Sequence, residues 1–127
     1  MPRLTQVDDC GDYESELGVI IGKAAKNVSE DEAMDYVLGY TACNDVSSRS
    51  SQFAQSQWCF SKGFDGSCPI GTVSRTTYFL FRTTWEVQQL TARLGPTLVS
   101  PSVIPDPSKL HIRGLKNDTI LQDCGTE

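Results

Sequence analysis

Apolar and polar positions alternate most clearly in two short stretches near the start of the chain, and both stretches carry acids. Residues 13–22 read as a strand, with Leu17-Gly18-Val19-Ile20-Ile21 following Glu14-Ser15-Glu16. Strand side chains alternate faces, so Glu14 and Glu16 share one face while Leu17, Val19 and Ile21 point the other way, toward a core. Ser29 followed by Glu32 has the spacing of a capping box, and Ala33, Met34, Val37 and Leu38 then form an apolar stripe, predicting a short helix over residues 30–38 that Gly39 ends. Acids at 30, 31 and 32 suit the positive end of its dipole. A second strand is predicted from Tyr40 to Val46, and residues 47–69 read as irregular. Further on, Thr76–Arg82 is strand-like and Trp85–Arg93 helix-like. Leu110–Leu115 and Thr119–Gln122 flank Lys116-Asn117-Asp118 in the pattern of a hairpin.

A length of 127 residues suits one small domain. With 39% hydrophobic and 21% charged residues the composition is that of an ordinary globular chain rather than a disordered one. The net charge of -5 and the scatter of the basic residues argue against nucleic acid as a partner. No apolar run is long enough to span a membrane. The start, Met1-Pro2-Arg3-Leu4, has neither an apolar signal core nor an arginine-rich transit pattern, and the five cysteines form no Cys-x-x-Cys pair. An odd thiol count without a secretory signal points to a reducing compartment, cytoplasmic or mitochondrial. With one histidine, His111, a structural zinc site is disfavoured.

The candidate chemistry lies in the acids. Taken alone, Glu14, Glu16 and Asp45 read first as solvent-facing groups on an edge strand, since exposed acids are common. The sharper reading is that two like charges on one strand face, joined by a third from the next strand, surround a cation. Three convergent carboxylates suit a hard, oxygen-seeking divalent ion: Mg²⁺, Mn²⁺ or Ca²⁺. Arg49 has two readings of comparable weight, a structural ion pair with Asp45 or Asp65 and a substrate contact.

Several ordered motifs together resemble the fumarylacetoacetate hydrolase family. They are Asp12-Tyr13-Glu14-Ser15-Glu16-Leu17-Gly18-Val19-Ile20-Ile21-Gly22-Lys23, Gly39-Tyr40-Thr41-Ala42-Cys43-Asn44-Asp45-Val46-Ser47-Ser48-Arg49, Lys62-Gly63-Phe64-Asp65 and Cys68-Pro69-Ile70-Gly71. The resemblance runs over residues 12–71 and 96–127 and is closest to the smaller members that act on short oxo-acids. It implies an α+β, strand-rich mixed β-roll with one short helix. It implies metal ligation by Glu14, Glu16 and Asp45, catalytic and substrate contacts from Arg49 and Lys62, and a further substrate contact from Gln52. Ser50 departs from the acid that usually follows the arginine. The implied activity is metal-dependent chemistry on a small β-dicarbonyl or oxo-acid: acylpyruvate hydrolysis, oxaloacetate decarboxylation or keto–enol tautomerisation. A homodimer is implied in the same way.

The resemblance also implies features that are not found here. Family members carry a histidine and an acid on a lid before the Glu-x-Glu strand, and a substrate loop after the last hairpin. Eleven residues precede Asp12, none of them histidine, and the chain ends at Glu127. The expected domain, residues 12–127, is therefore an incomplete β-roll truncated at both ends. Removing residues 72–95 joins Cys68-Pro69-Ile70-Gly71 to Pro96-Thr97 and restores a family-like run. That segment, which holds Tyr78, Phe79, Phe81 and Trp85 with three arginines, reads as a non-family insertion, such as a retained in-frame intron. The alternative function is a catalytically inactive fragment that keeps at most a metal-binding site.

Overall fold

The computed structural model describes residues 10–70, 77–83 and 98–126, the middle stretch through its backbone. The strands are β1 (Gly11–Asp12), β2 (Ser15–Ile21), β3 (Val37–Asn44), β4 (Ser47–Ser48), β5 (Thr77–Thr83), β6 (Leu110–Lys116) and β7 (Thr119–Gly125). They form three small antiparallel sheets: β1 with β4, β2 with β3, and β5-β6-β7. None of the three closes on itself, so the architecture is a strand-rich, open α+β arrangement.

The two strands predicted at 13–22 and 40–46 form as β2 and β3, the second starting and ending earlier than expected, because Val19, Ile20, Ile21, Tyr40 and Thr41 all favour extended backbone. Their register pairs Ser15 with Asn44, Glu16 with Cys43 and Val19 with Tyr40. On its second edge β3 bonds to two chain segments, bridging Tyr40 to Val99 and Cys43 to Ile70. The Val99 bridge explains Gly39: a Cβ there would lie 2.6 Å from the Val99 carbonyl oxygen. The predicted hairpin near the C-terminal end is β6–β7. Asn117 and Asp118 take left-handed φ of 49° and 65°, as a two-residue turn matched to strand twist requires.

Three local expectations are corrected. The helix over 30–38 is a 3-10 helix, Glu30–Tyr36, and it buries none of its residues. The Ser29 hydroxyl donates to the Glu32 carboxylate at 2.8 Å instead of capping a backbone N–H. Without a buried face the segment lacks the packing that stabilises a short α-helix, and Val37 and Leu38 go instead to β3. Second, the stretch 47–69 is more ordered than expected. It holds β4 and two helical turns, α1 (Arg49–Phe53) and α2 (Cys59–Lys62). Third, Val19 and Ile21 are 48% and 57% exposed rather than core. The β6–β7 sheet meets only the near end of β2, where Gln122 bonds both backbone groups of Ser15. The buried hydrophobics among the described residues are Tyr40, Cys43, Leu110 and Ile112.

Of the segment read as an insertion, 72–95, only 77–83 falls within the described residues. Its backbone forms β5, paired with β6 from Thr77↔Lys116 to Thr83↔Leu110. The helix-like stretch 85–93 lies outside the described residues. Among the described residues no helix is long and apolar enough to cross a membrane.

Candidate metal and substrate site

The register of the first hairpin builds the site. Because Ser15 faces Asn44 and Glu16 faces Cys43, Glu14 falls opposite Asp45, where the Asp45 N–H donates to the Glu14 carbonyl at 3.0 Å. The Glu14 N–H in turn donates to Asn44 Oδ1 at 3.0 Å. Glu14, Glu16 and Asp45 thus share one face, and one carboxylate oxygen from each lies within 4.8 Å of the others. Like charges set opposite each other destabilise a sheet unless something compensates them.

Two cations do so in part. Lys62, the last residue of α2, directs its ammonium to Glu14 Oε2 at 2.7 Å, Asp45 Oδ2 at 2.9 Å and Ser47 Oγ at 2.7 Å. Arg49, the first residue of α1, donates from Nε to Asp12 Oδ2 at 2.7 Å. Its Nη1 donates to Glu14 Oε1 at 2.6 Å and to Gln52 Oε1 at 2.8 Å. Both short helices are pinned so that these side chains face inward. The Arg49 N–H bonds to the Cys10 carbonyl at 2.8 Å, and the Ser67 hydroxyl donates to the Lys62 carbonyl. Ser47, Ser48 and Gln52 are buried.

The electrostatics follow from these contacts. Burial pushes the Glu14 carboxyl up, but hydrogen bonds from Lys62 and Arg49 outweigh it and hold the group below its ordinary value. Among the described residues Glu16 has no such partner, and burial together with the charges of Asp45 and Glu14 raises it. For Lys62 and Arg49 burial works against the charge, yet the carboxylate hydrogen bonds win and raise both. Beside the acids lies an open depression of about 440 Å³, bordered by Tyr13, Glu14, Glu16, Arg49, Leu121 and Gln122.

The residues fit a divalent cation. Oxygen ligands at about 2.1 Å from Mg²⁺ or about 2.4 Å from Ca²⁺ stand roughly 3–5 Å apart around the ion. The observed spread of 4.8 Å lies within that range. Four carboxylates (Asp12, Glu14, Glu16, Asp45) against two cations (Arg49, Lys62) leave two uncompensated negative charges, the amount a divalent ion neutralises.

All six residues named from the sequence come together here. Arg49, however, pairs with Asp12 and Glu14, not with Asp45 or Asp65. Sequence reasoning missed Asp12 and Ser47 as members of the cluster. The signal was available: Asp12, Glu14 and Glu16 recur every second residue, and Ser47 stands two after Asp45. His111 is not in the cluster; it pairs with Asp123 on the β6–β7 sheet.

A strand-borne acid triad with an arginine and a lysine on its rim, carried on an open antiparallel scaffold, is compatible with a divalent-cation site. The chain belongs to the fumarylacetoacetate (FAA) hydrolase C-terminal family, whose profile matches residues 3–86. It is 76% identical over 53 residues to a caffeoylpyruvate hydrolase of Neonothopanus nambi, which covers 42% of this chain and 18% of that protein. It is 38% identical over 117 residues to a mitochondrial oxaloacetate tautomerase of Xenopus laevis, covering 91% of this chain and 29% of the relative. Among solved structures it resembles a 2-hydroxyhepta-2,4-diene-1,7-dioate isomerase from Mycobacterium marinum, with a TM-score of 0.68 and 30% identity. That match covers 96% of this chain and 37% of the isomerase. The chain thus spans well under half the length of these relatives.

Proposed function

We propose that Glu14, Glu16 and Asp45 hold Mg²⁺, with Mn²⁺ or Ca²⁺ as substitutes, and that the site processes a small β-dicarbonyl or oxo-acid. The convergence of three carboxylate oxygens within 4.8 Å carries this reading. When bound, the ion would supply Lewis acidity at a substrate carbonyl. The chain's own residues do the rest. The Arg49 guanidinium, held in orientation by Asp12 and Gln52, faces the depression beside the acids and pairs with a substrate carboxylate. Lys62 neutralises oxyanion charge as it develops. Gln52 supports Arg49 from a buried position. Acylpyruvate hydrolysis, oxaloacetate decarboxylation and keto–enol tautomerisation all use this arrangement. Tautomerisation asks least of it, because no histidine stands at the acids to activate water. The reading places the protein in the cytoplasm or mitochondrion, and a second copy of the chain as its partner.

A specific observation favours a second reading. The sheets are open, and Val19, Ile21 and Leu38 are about half exposed, so the 127 residues also suit a fragment that binds a cation without turning over substrate. One experiment separates the two: assay of the chain with oxaloacetate and acylpyruvates, with and without chelator. Turnover abolished by chelator and restored by Mg²⁺ supports the enzyme. Mg²⁺-dependent thermal stabilisation without turnover supports the fragment. At a hundred times its dissociation constant a single ion adds about 2.7 kcal/mol.

A further inference from the structure

The Lys62 ammonium has three N–H donors, and all three are taken. They go to Glu14 Oε2 at 2.7 Å, Asp45 Oδ2 at 2.9 Å and Ser47 Oγ at 2.7 Å. A lysine so bound has no donor left for a substrate. Its two charged partners are two of the three carboxylates in the acid triad. Arg49 differs: it touches the triad only through Glu14, and its other partners, Asp12 and Gln52, lie outside it. Both Glu14 oxygens are engaged, one by each cation. At Glu14 a divalent ion therefore competes with Lys62 and Arg49 for the two oxygens, and at Asp45 it meets the Lys62 ammonium at Oδ2.

From this geometry we propose that Lys62 is the built-in counter-ion of the metal-free site, and that divalent-ion binding frees its ammonium to receive an anionic oxo-acid. The inference rests on the metal-site reading above and deepens it. Lys62 then couples the two ligands. Metal makes a cationic donor available beside the acids, and by reciprocity an oxo-acid that captures the freed ammonium tightens metal binding by the same factor. Ser47 is the fixed point of the exchange. It is fully buried on β4 and can keep one N–H of Lys62 while the carboxylates let go.

The test uses the full 127-residue chain and needs no turnover. Trace acetylation with acetic anhydride, read by peptide mass spectrometry, reports the accessibility of each lysine amine. Exposed Lys26 is the internal reference, and calorimetry with Mn²⁺ reports binding in parallel. The expected result is Lys62 labelling at least tenfold below Lys26 without metal, rising at least fivefold at saturating Mn²⁺. Heat of binding with unchanged Lys62 labelling overturns the inference and leaves the metal site standing. Absence of binding at millimolar Mn²⁺ overturns both. Variants give a second readout. Lys62→Gln and Arg49→Gln remove the same charge, but only Lys62 occupies two ligands, so Lys62→Gln should tighten Mn²⁺ binding at least tenfold and at least threefold more than Arg49→Gln. Equal effects, or weaker binding in Lys62→Gln, contradict the exchange.

Discussion

Glu16 is the carboxylate with most to gain from a cation, because Glu14 and Asp45 already have Lys62 and Glu16 has no ion-pair partner among the described residues. Its raised pKa means that the ionised form costs folding stability above that raised value, and that the cost disappears as protonation removes the charge. Glu14 behaves oppositely. Its depressed pKa contributes stability above the ordinary value of 4.5, and that contribution is lost as pH falls through the depressed value. In chelator the melting temperature should therefore rise on mild acidification from neutral pH and fall again in stronger acid. Glu16→Gln should abolish the rising limb alone, and a pH series of thermal melts on both proteins checks this. Asp45→Asn should weaken divalent-ion binding at least tenfold, since even loss of groups that merely support a ligand costs about 10–100-fold. Titration calorimetry reads that change. The acids were legible in the sequence through spacing and alternation. Arg49 and Lys62 were named through the family motifs, but the pairing of Arg49 with Asp12 was not legible, because it depends on how β1 meets β4, which no local pattern encodes.

The hairpin β2–β3 is the element that makes the site, since its register alone sets Glu14 opposite Asp45. Its outer edge depends on the close approach of Val99 to Gly39, with Tyr40 and Val99 exchanging two backbone hydrogen bonds of 2.8 Å. Gly39→Ala puts a methyl group against a backbone oxygen that has no rotamer to yield. It should cost about 1–3 kcal/mol in chemical denaturation, and a variant as stable as the parent would show that the bridge is dispensable. Ser47→Ala removes a buried hydroxyl from the Lys62 tripod and should cost about 1–3 kcal/mol in the same measurement. Strands and the turn at Asn117-Asp118 could be read ahead of the structure because β-branched runs and turn residues act locally. The helix over 30–38 could not. Its capping signal is real, but Ser29 spends its hydroxyl on Glu32, and whether Met34 finds a core is a tertiary question; it remains 45% exposed.

At the scale of the molecule, the sheets are open, the buried hydrophobics among the described residues are few, and apolar side chains stay in water. Val19, Ile21, Leu38 and Leu98 are each 46% exposed or more. Such a surface favours association. The 127-residue chain should show mass that grows with concentration in analytical ultracentrifugation, and Ile21→Lys should reduce it; a monodisperse monomer across the range would remove this expectation. Fold class was readable because ordered motifs carry the family, whereas the burial of the strand faces was not. Alternation says which residues share a face and says nothing about whether another layer covers it. The claim on which the molecule's chemistry turns is that Glu14, Glu16 and Asp45 together grip one divalent ion. Anomalous diffraction from Mn²⁺-soaked crystals of the chain tests it directly. The account predicts a single strong peak within about 2.0–2.4 Å of a carboxylate oxygen from each of the three residues. Absence of a peak there at saturating Mn²⁺, or one bound by other groups, would contradict it.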